Sequence, residues 1–162
     1  MNEKSQRELF QYLNHLGLEN FIGVPDSTMK HFIDEGIKSK KILITTREEE
    51  AIGIGAGIVL SGKHVVIFMQ NAGFANSLST ISSLIQLYQI PMILLIGWRG
   101  FLSKDAPEHR KIGKIQTSLL KTMGIKSRIL TENNFKKNVK WAISELKKYK
   151  TVSLVIRREF LD

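Results

Sequence analysis

The fold predicted for this chain is a three-layer α/β sandwich around a doubly wound, mainly parallel sheet of about six strands. Two observations predict it. Helical and strand patterns alternate from one end to the other, which is the signature of a parallel sheet covered on both faces with right-handed crossovers. The polar turns Pro25-Asp26, Arg47-Glu48, Gln70-Asn71 and Trp98-Arg99 each follow a strand pattern, so all four should face one edge of that sheet. At 162 residues without internal repeats, linkers or low-complexity tracts, residues 1–162 read as one domain.

The elements follow in order. Residues 3 to 15 carry Leu9, Phe10 and Leu13 on one helical face, extended by Leu16, and Gly17 is a helix stop. Phe21 to Val24 is a short strand ended by Pro25-Asp26-Ser27, where Asp26 or Ser27 can cap the helix bearing Met29, Phe32, Ile33 and Ile37. Lys41 to Thr46 is the second strand; it feeds an acid-topped helix that stops near Gly62. His64 to Met69 is the third strand and Gly73 to Tyr88 the next helix. Pro91 opens the fourth strand, where its missing N–H is tolerated. Trp98 to Glu108 is the one long irregular stretch, with Arg99, Lys104, Asp105 and Pro107, and His109 directly after it. A helix over 113–123, a strand at Lys126 to Leu130, a helix over Glu132 to Tyr149 and a strand at Val152 to Ile156 complete the chain.

Composition narrows the function classes. With 43% hydrophobic and 24% charged residues the chain reads as an ordinary globular domain. It has no cysteine, so disulfides, thiolate nucleophiles and zinc–thiolate sites are excluded. The amino end has no apolar core of a signal peptide, and Ile90 to Trp98 is far shorter than the ~20 residues of a membrane span; a cytoplasmic location with no membrane partner is the expectation. The net charge of +9 raises nucleic acid as a partner. Much of the surplus, however, lies on Lys136, Lys137, Lys140, Lys147, Lys148 and Lys150, which alternate with Phe135, Val139, Ile143 and Leu146 as the solvated face of an amphipathic helix. No nucleic-acid motif accompanies it, so no nucleic-acid partner is expected.

The chain is organised around residues 42 to 76. The run Ile42 to Thr46 meets three acids, Glu48, Glu49 and Glu50, at the start of a helix. Part of this is explained by structure alone: Thr46 as N-cap with Glu49 three residues on fits a capping box, and acids in a first turn favour the helix dipole. Three consecutive acids ahead of Gly53, Gly55 and Gly57 exceed that need. These glycines are not a dinucleotide fingerprint, since they lie inside the helix and the turn before them is filled by carboxylates that would repel a phosphate. Each costs up to ~1 kcal/mol against alanine within a helix, so something is expected to approach the backbone closely.

Four motifs in order, TREEEAIGIGAG, MQNAGFANS, IPMILLIGWRG and Gly23-Val24-Pro25-Asp26-Ser27, resemble the pyrimidine-binding domain of thiamine-diphosphate enzymes. The likeness is to the α subunit of sulfopyruvate decarboxylase and the matching half of phosphonopyruvate decarboxylase, and it covers roughly residues 5 to 160. The resemblance implies a role for Glu48, matched through the family pattern Glu-x-x-Ala at Glu48 to Ala51. This carboxylate would exchange a proton with the cofactor's aminopyrimidine, whose imino tautomer deprotonates the thiazolium carbon. Glu49 is the alternative within the trio.

Other site residues follow from the same comparison. Asp26 would handle protons near the substrate, with helix capping as its alternative. His109 would be a proton-transfer group, histidine being the side chain suited to that near neutrality. Arg99 would clamp the substrate's anionic tail through its planar fork, or else serve a helix end or interface. Gln70, Asn71, Gly73 and Asn76 would bind the cofactor ring or, for Asn71 and Gly73, hold the turn. No metal-ligand spacing is present among the four histidines.

The Gly-Asp-Gly motif of the diphosphate-binding domain is missing, since the only aspartates are Asp26, Asp34, Asp105 and Asp162. The resemblance therefore implies half an active site, with thiamine diphosphate bound in a cleft shared with a β subunit that holds the magnesium and diphosphate. The expected substrate is a small anionic 2-oxoacid. The α-only length favours sulfopyruvate; the Trp98-Arg99-Gly100 and Lys104-Asp105 segments lean towards phosphonopyruvate. A non-catalytic small-anion-binding module is the rival reading, and a basic nucleic-acid-binding domain a more distant one.

Overall fold

The computed structural model describes residues 1–101 and 105–157; Lys104, singled out above, lies outside them. The elements run α1 (Glu3–His15), β1 (Asn20–Gly23), a 3₁₀ turn (Ser27–Met29), α2 (Lys30–Lys38), β2 (Ile42–Ile44), α3 (Glu48–Leu60) and β3 (Val65–Gln70). Then come α4 (Asn71–Asn76), α5 (Leu78–Thr80), a π-helical segment (Ile81–Gln86), β4 (Ile93–Trp98), α6 (Pro107–Thr122), β5 (Ser127–Leu130), α7 (Phe135–Leu146) and β6 (Val152–Arg157). The sheet has six strands in the order β2-β1-β3-β4-β6-β5, every pair parallel. The predicted doubly wound sandwich is the fold observed.

Alternation along the strands sends successive side chains to opposite layers. Val66 and Phe68 of β3 join one core, with helices α1, α2 and α7; Val65, Ile67 and Met69 join the other, with α3, α4 and α6. The first core is built on an aromatic group. Phe10 lies 4.5 Å from Phe21 and 5.4 Å from Phe32, and Phe32 lies 6.4 Å from Phe68, ring centre to ring centre. All four are buried, each contributing roughly 1.5–3 kcal/mol of transfer free energy. Gln6 locks α1 to the loop after β1: its amide donates to the carbonyls of Met1 and Thr28 and accepts from the backbone N–H of His31 and Phe32.

Two helices differ from expectation. The helix anticipated over Gly73 to Tyr88 is broken near Ser77, whose hydroxyl donates to the Gly73 carbonyl, and it continues as a π-helical segment. A hydroxyl bonded back to the carbonyl four residues earlier bends a helix. Helix α6 begins at Pro107 rather than 113, so His109 lies in its first turn and not in an irregular stretch. Proline at the first helical position is pre-organised for this start.

Candidate functional site at the carboxyl edge

The strand order reverses direction between β1 and β3, which are neighbours although β2 lies between them in sequence. Ligands of open α/β sheets bind outside the carboxyl ends of strands at such a switch point. Asp26 from the loop after β1 and Gln70 from the end of β3 meet across it. Gln70 Nε2 donates to Asp26 Oδ1 at 3.1 Å. Asp26 is 5% exposed, and its Oδ2 is buried without a hydrogen-bond partner among the described residues. It stands at the N-cap of the 3₁₀ turn, yet its side chain makes no capping bond, so the capping alternative fails. Gly97 of β4 makes room for it: a Cβ there would fall 1.9 Å from Asp26 Oδ2. Beside it Thr28, absent from the sequence-based set, buries a hydroxyl that also lacks a partner.

Glu48 opens α3 and is half-buried. Its carboxylate makes no hydrogen bond or ion pair among the described residues. It lies against Gly73 of α4, where a Cβ would come within 2.1 Å of Oε1 and 2.4 Å of Cδ. A bare backbone at residue 73 is what lets this carboxylate lie where it does.

The acidic trio divides its work differently from the expected capping box. Arg47, not Thr46, is the N-cap, and it makes no side-chain cap bond. Glu50, not Glu49, reaches back, accepting from the Thr46 N–H at 3.1 Å and its hydroxyl at 3.2 Å. Glu49 lies 3.8 Å from Arg47. The reason is geometric: a strand-to-helix turn that spends one more residue extended moves the reciprocal partner one position on. Among the glycines of α3, only Gly55 is closely packed, against Ile67; Gly53 and Gly57 face open space.

Of the two readings of Arg99, the structure shows the helix-end pair rather than an open anion clamp. Its Nε and one terminal nitrogen donate to the two oxygens of Asp105 at 3.0 and 2.7 Å, and the other terminal nitrogen reaches Ser27 Oγ at 3.3 Å. Asp105 is 98% buried by side chain, with 2% exposed, and also accepts from the N–H of Gly100 and Ala106. The guanidinium and these two amides hold the Asp105 carboxyl far below the usual carboxylate range. The pair anchors the start of α6 to the loop after β1. Asn71 is likewise fully engaged: its amide exchanges two hydrogen bonds with the backbone of Arg99, at 3.0 and 3.2 Å. That is the turn-holding alternative, joining the ends of β3 and β4.

His109 lies on α6 with its side chain mostly buried, 4.0 Å from Glu108. Asn76 ends α4, exposed and without a side-chain bond among the described residues. Arg157, at the end of β6, was not anticipated. It stacks over Phe101 at 4.2 Å and Trp98 at 5.1 Å; its position directly after a strand was the available signal. Among the described residues no cluster of His, Asp or Glu is arranged to hold a metal ion, and no helix is long and apolar enough to cross a membrane.

A parallel sheet with polar side chains gathered beyond the carboxyl ends of its strands is a ligand-binding α/β architecture, and comparison with known families specifies it. Residues 4–122 match the model of the thiamine pyrophosphate enzyme, N-terminal TPP binding domain; the chain belongs to that family. It is 36% identical over 114 residues to sulfopyruvate decarboxylase subunit alpha of Methanocaldococcus jannaschii, spanning 69% of this chain and 68% of that one. It is 33% identical over 116 residues to phosphonopyruvate decarboxylase of Streptomyces viridochromogenes, covering 70% of this chain and 29% of that one. Among solved structures, benzoylformate decarboxylase from Polynucleobacter necessarius superposes with a TM-score of 0.76 at 18% identity, over 97% of this chain and 31% of that one. A split-gene transketolase superposes at 0.69 and 12% identity, over 98% and 52%. These two likenesses speak for the fold.

The site residues fit the ring end of thiamine diphosphate. Among the described residues the half-buried Glu48 carboxylate has no hydrogen-bond partner, and Asp26 Oδ2 is a buried acceptor without one. A buried polar atom without a partner costs roughly 1–3 kcal/mol, which a bound ligand's donor would recover.

Proposed function

We propose that this chain is the pyrimidine-binding α subunit of a thiamine-diphosphate-dependent decarboxylase acting on a short 2-oxoacid with an anionic tail. The observation that carries this reading is the Glu48 carboxylate, without a hydrogen-bond partner among the described residues, against the bare backbone of Gly73, in a chain of this family. When bound, the cofactor would supply a nucleophilic thiazolium carbon and an electron sink for decarboxylation. Glu48 exchanges a proton with a ring nitrogen of the cofactor's aminopyrimidine. Asp26, held by Gln70, moves a proton at the substrate, and His109 serves as a second proton-transfer group. Gly73 and Asn76 border the ring. Arg99, tied to Asp105, positions the loop carrying Ser27 and Asp26 rather than gripping the substrate itself. The diphosphate and its magnesium belong to a separate β subunit, and the +9 charge helps draw an anionic substrate to the shared cleft.

Of the two substrates, 3-sulfopyruvate is favoured over 3-phosphonopyruvate. The relative matched over 68% of its own length is an α subunit of the sulfopyruvate enzyme, whereas the phosphonopyruvate enzyme is matched over 29%. The test is co-expression with a chain carrying the Gly-Asp-Gly diphosphate motif, followed by carbon dioxide release from each oxoacid. Cofactor-dependent release that needs both chains is the expected result. No release from either oxoacid with both chains folded and associated would overturn the reading.

A further inference from the structure

A second surface lies at the opposite, amino edge of the sheet, away from every residue of the candidate site. A groove of about 760 Å³ opens there, between the ends of α3 and α7 and the segment before β4. Four of its lining side chains are large, apolar or aromatic, and free of core packing: Leu60 at 76% exposure, Leu87 at 67%, Tyr88 at 67% and Tyr149 at 69%. Exposing one such side chain is unremarkable; four around one groove is the pattern of a recognition surface. The ionisable groups in this groove are Lys63, His64, Lys147 and the two tyrosines, and no acid lines it.

The groove continues past Tyr149 and Gln89 into two smaller depressions along the ends of β6 and β5. These add Lys150, Lys126 and Lys148, with Glu145 as the one acid. Glu145 is already held by Lys126 at 3.1 Å and Lys148 at 2.7 Å. Lys63, Lys147 and Lys150 have no acidic partner among the described residues, so the track carries net positive charge around an apolar floor.

Its walls carry a second mark. The helix stops Gly17, Gly62 and Gly124 use glycine in the left-handed backbone region, but Gln89 (φ 52°) and Tyr149 (φ 56°) adopt that region with full side chains, as does Lys40 elsewhere. A non-glycine residue there costs of order 1 kcal/mol.

We propose that this groove is a docking site for an acidic amphipathic segment of another polypeptide, its apolar residues seated between Leu60, Leu87 and Tyr149 and its carboxylates against Lys63, Lys147 and Lys150. The track crosses four neighbouring strands, about 15 Å at ordinary strand spacing, which suits a helix of about ten residues. A second copy of this chain is a poor occupant, because two surfaces of the same positive sign repel and the chain carries +9 overall. Nucleic acid would use the lysines and tyrosines but gain nothing from Leu60 and Leu87.

The test uses the full chain and a fluorescently labelled synthetic peptide of about ten residues with leucine at helical spacing and glutamate elsewhere. Its controls are the same peptide with lysine for glutamate and a labelled oligothymidylate. Saturable binding of the acidic peptide is expected in fluorescence anisotropy, weakened at least ~10-fold by Lys63→Glu with Lys147→Glu, and similarly by Leu60→Ser with Leu87→Ser. These side chains are at the surface, so circular dichroism and thermal midpoint stay those of the parent and a loss reports the groove. Absence of saturable binding, or equal binding by either double variant, would overturn the proposal. So would tighter binding of the basic peptide, and tighter binding of the oligothymidylate would reassign the surface to nucleic acid.

Discussion

Replacing Gly73 by alanine tests how Glu48 is held. The added Cβ would lie 2.1 Å from Glu48 Oε1, 2.4 Å from Cδ and 2.5 Å from Cγ, whereas ordinary contact begins at 3.4 Å. The carboxylate must therefore retreat by about 1.3 Å, the difference between 3.4 and 2.1 Å. Because Cγ is also obstructed, the side chain has to change rotamer rather than tilt. Displacing a reacting group by ~1 Å costs on the order of 100-fold in rate. Stability should move the other way. The obstructing atoms are the far end of a flexible side chain, and alanine is favoured over glycine within a helix by up to ~1 kcal/mol. The assay pairs thermal unfolding of Gly73→Ala with the turnover of the reconstituted α–β complex. An unchanged or raised midpoint with turnover down ~100-fold is expected. Full turnover in the Gly73→Ala complex would refute the placement of Glu48 as the working acid.

Three further outcomes follow from the same geometry. Gly97→Ala would drive a Cβ to within 1.9 Å of Asp26 Oδ2; it should destabilise the fold by ~1–3 kcal/mol through overpacking and lower turnover with it, read by denaturant melts and carbon dioxide release. Asp105→Asn leaves the Arg99 guanidinium mostly buried without its counter-charge and should cost ~3 kcal/mol or more. Asp105 is depressed in the folded state, so its contribution is fully present above the unfolded carboxyl value of ~4 and is lost as pH falls below it. Acid unfolding of Asp105→Asn should accordingly be less steep than that of the parent between about pH 4 and pH 2. Glu50→Ala removes the acceptor for the Thr46 N–H and should lose ~1 kcal/mol in urea melts, while Glu49→Ala stays within ~0.5 kcal/mol of the parent.

The fold was legible because each element carries its own periodicity and turn chemistry. The strands His64 to Met69 and Val152 to Ile156 were placed within one residue of β3 and β6. What escaped depended on which side chains bond to which neighbours. The start of α6 is fixed by Asp105 accepting from Gly100, Ala106 and Arg99, a local loop network that apolar periodicity does not show, although Pro107 at the first helical position was a readable start signal. Arg99 stayed open between an anion clamp and a helix-end pair because sequence shows a guanidinium after a strand, but not that Asp105 is buried against it. The break at Ser77 was invisible because serine is compatible with a helix until its hydroxyl bonds back. Asp26 and Gln70 could be assigned to one edge by counting strands, but their hydrogen bond and the room made by Gly97 required the sheet's register. Thr28 and Arg157 were missed because neither belongs to a motif; burial of one and ring stacking of the other mark them only in three dimensions.

The measurement closest to the central claim is hydrogen–deuterium exchange at the reactive thiazolium carbon of thiamine diphosphate bound to the α–β complex, followed without substrate. If Glu48 handles the pyrimidine proton, Glu48→Gln slows that exchange by ~100-fold or more, while Glu49→Gln leaves it near the parent rate. Exchange in Glu48→Gln as fast as in the parent, with the cofactor still bound, would contradict the account.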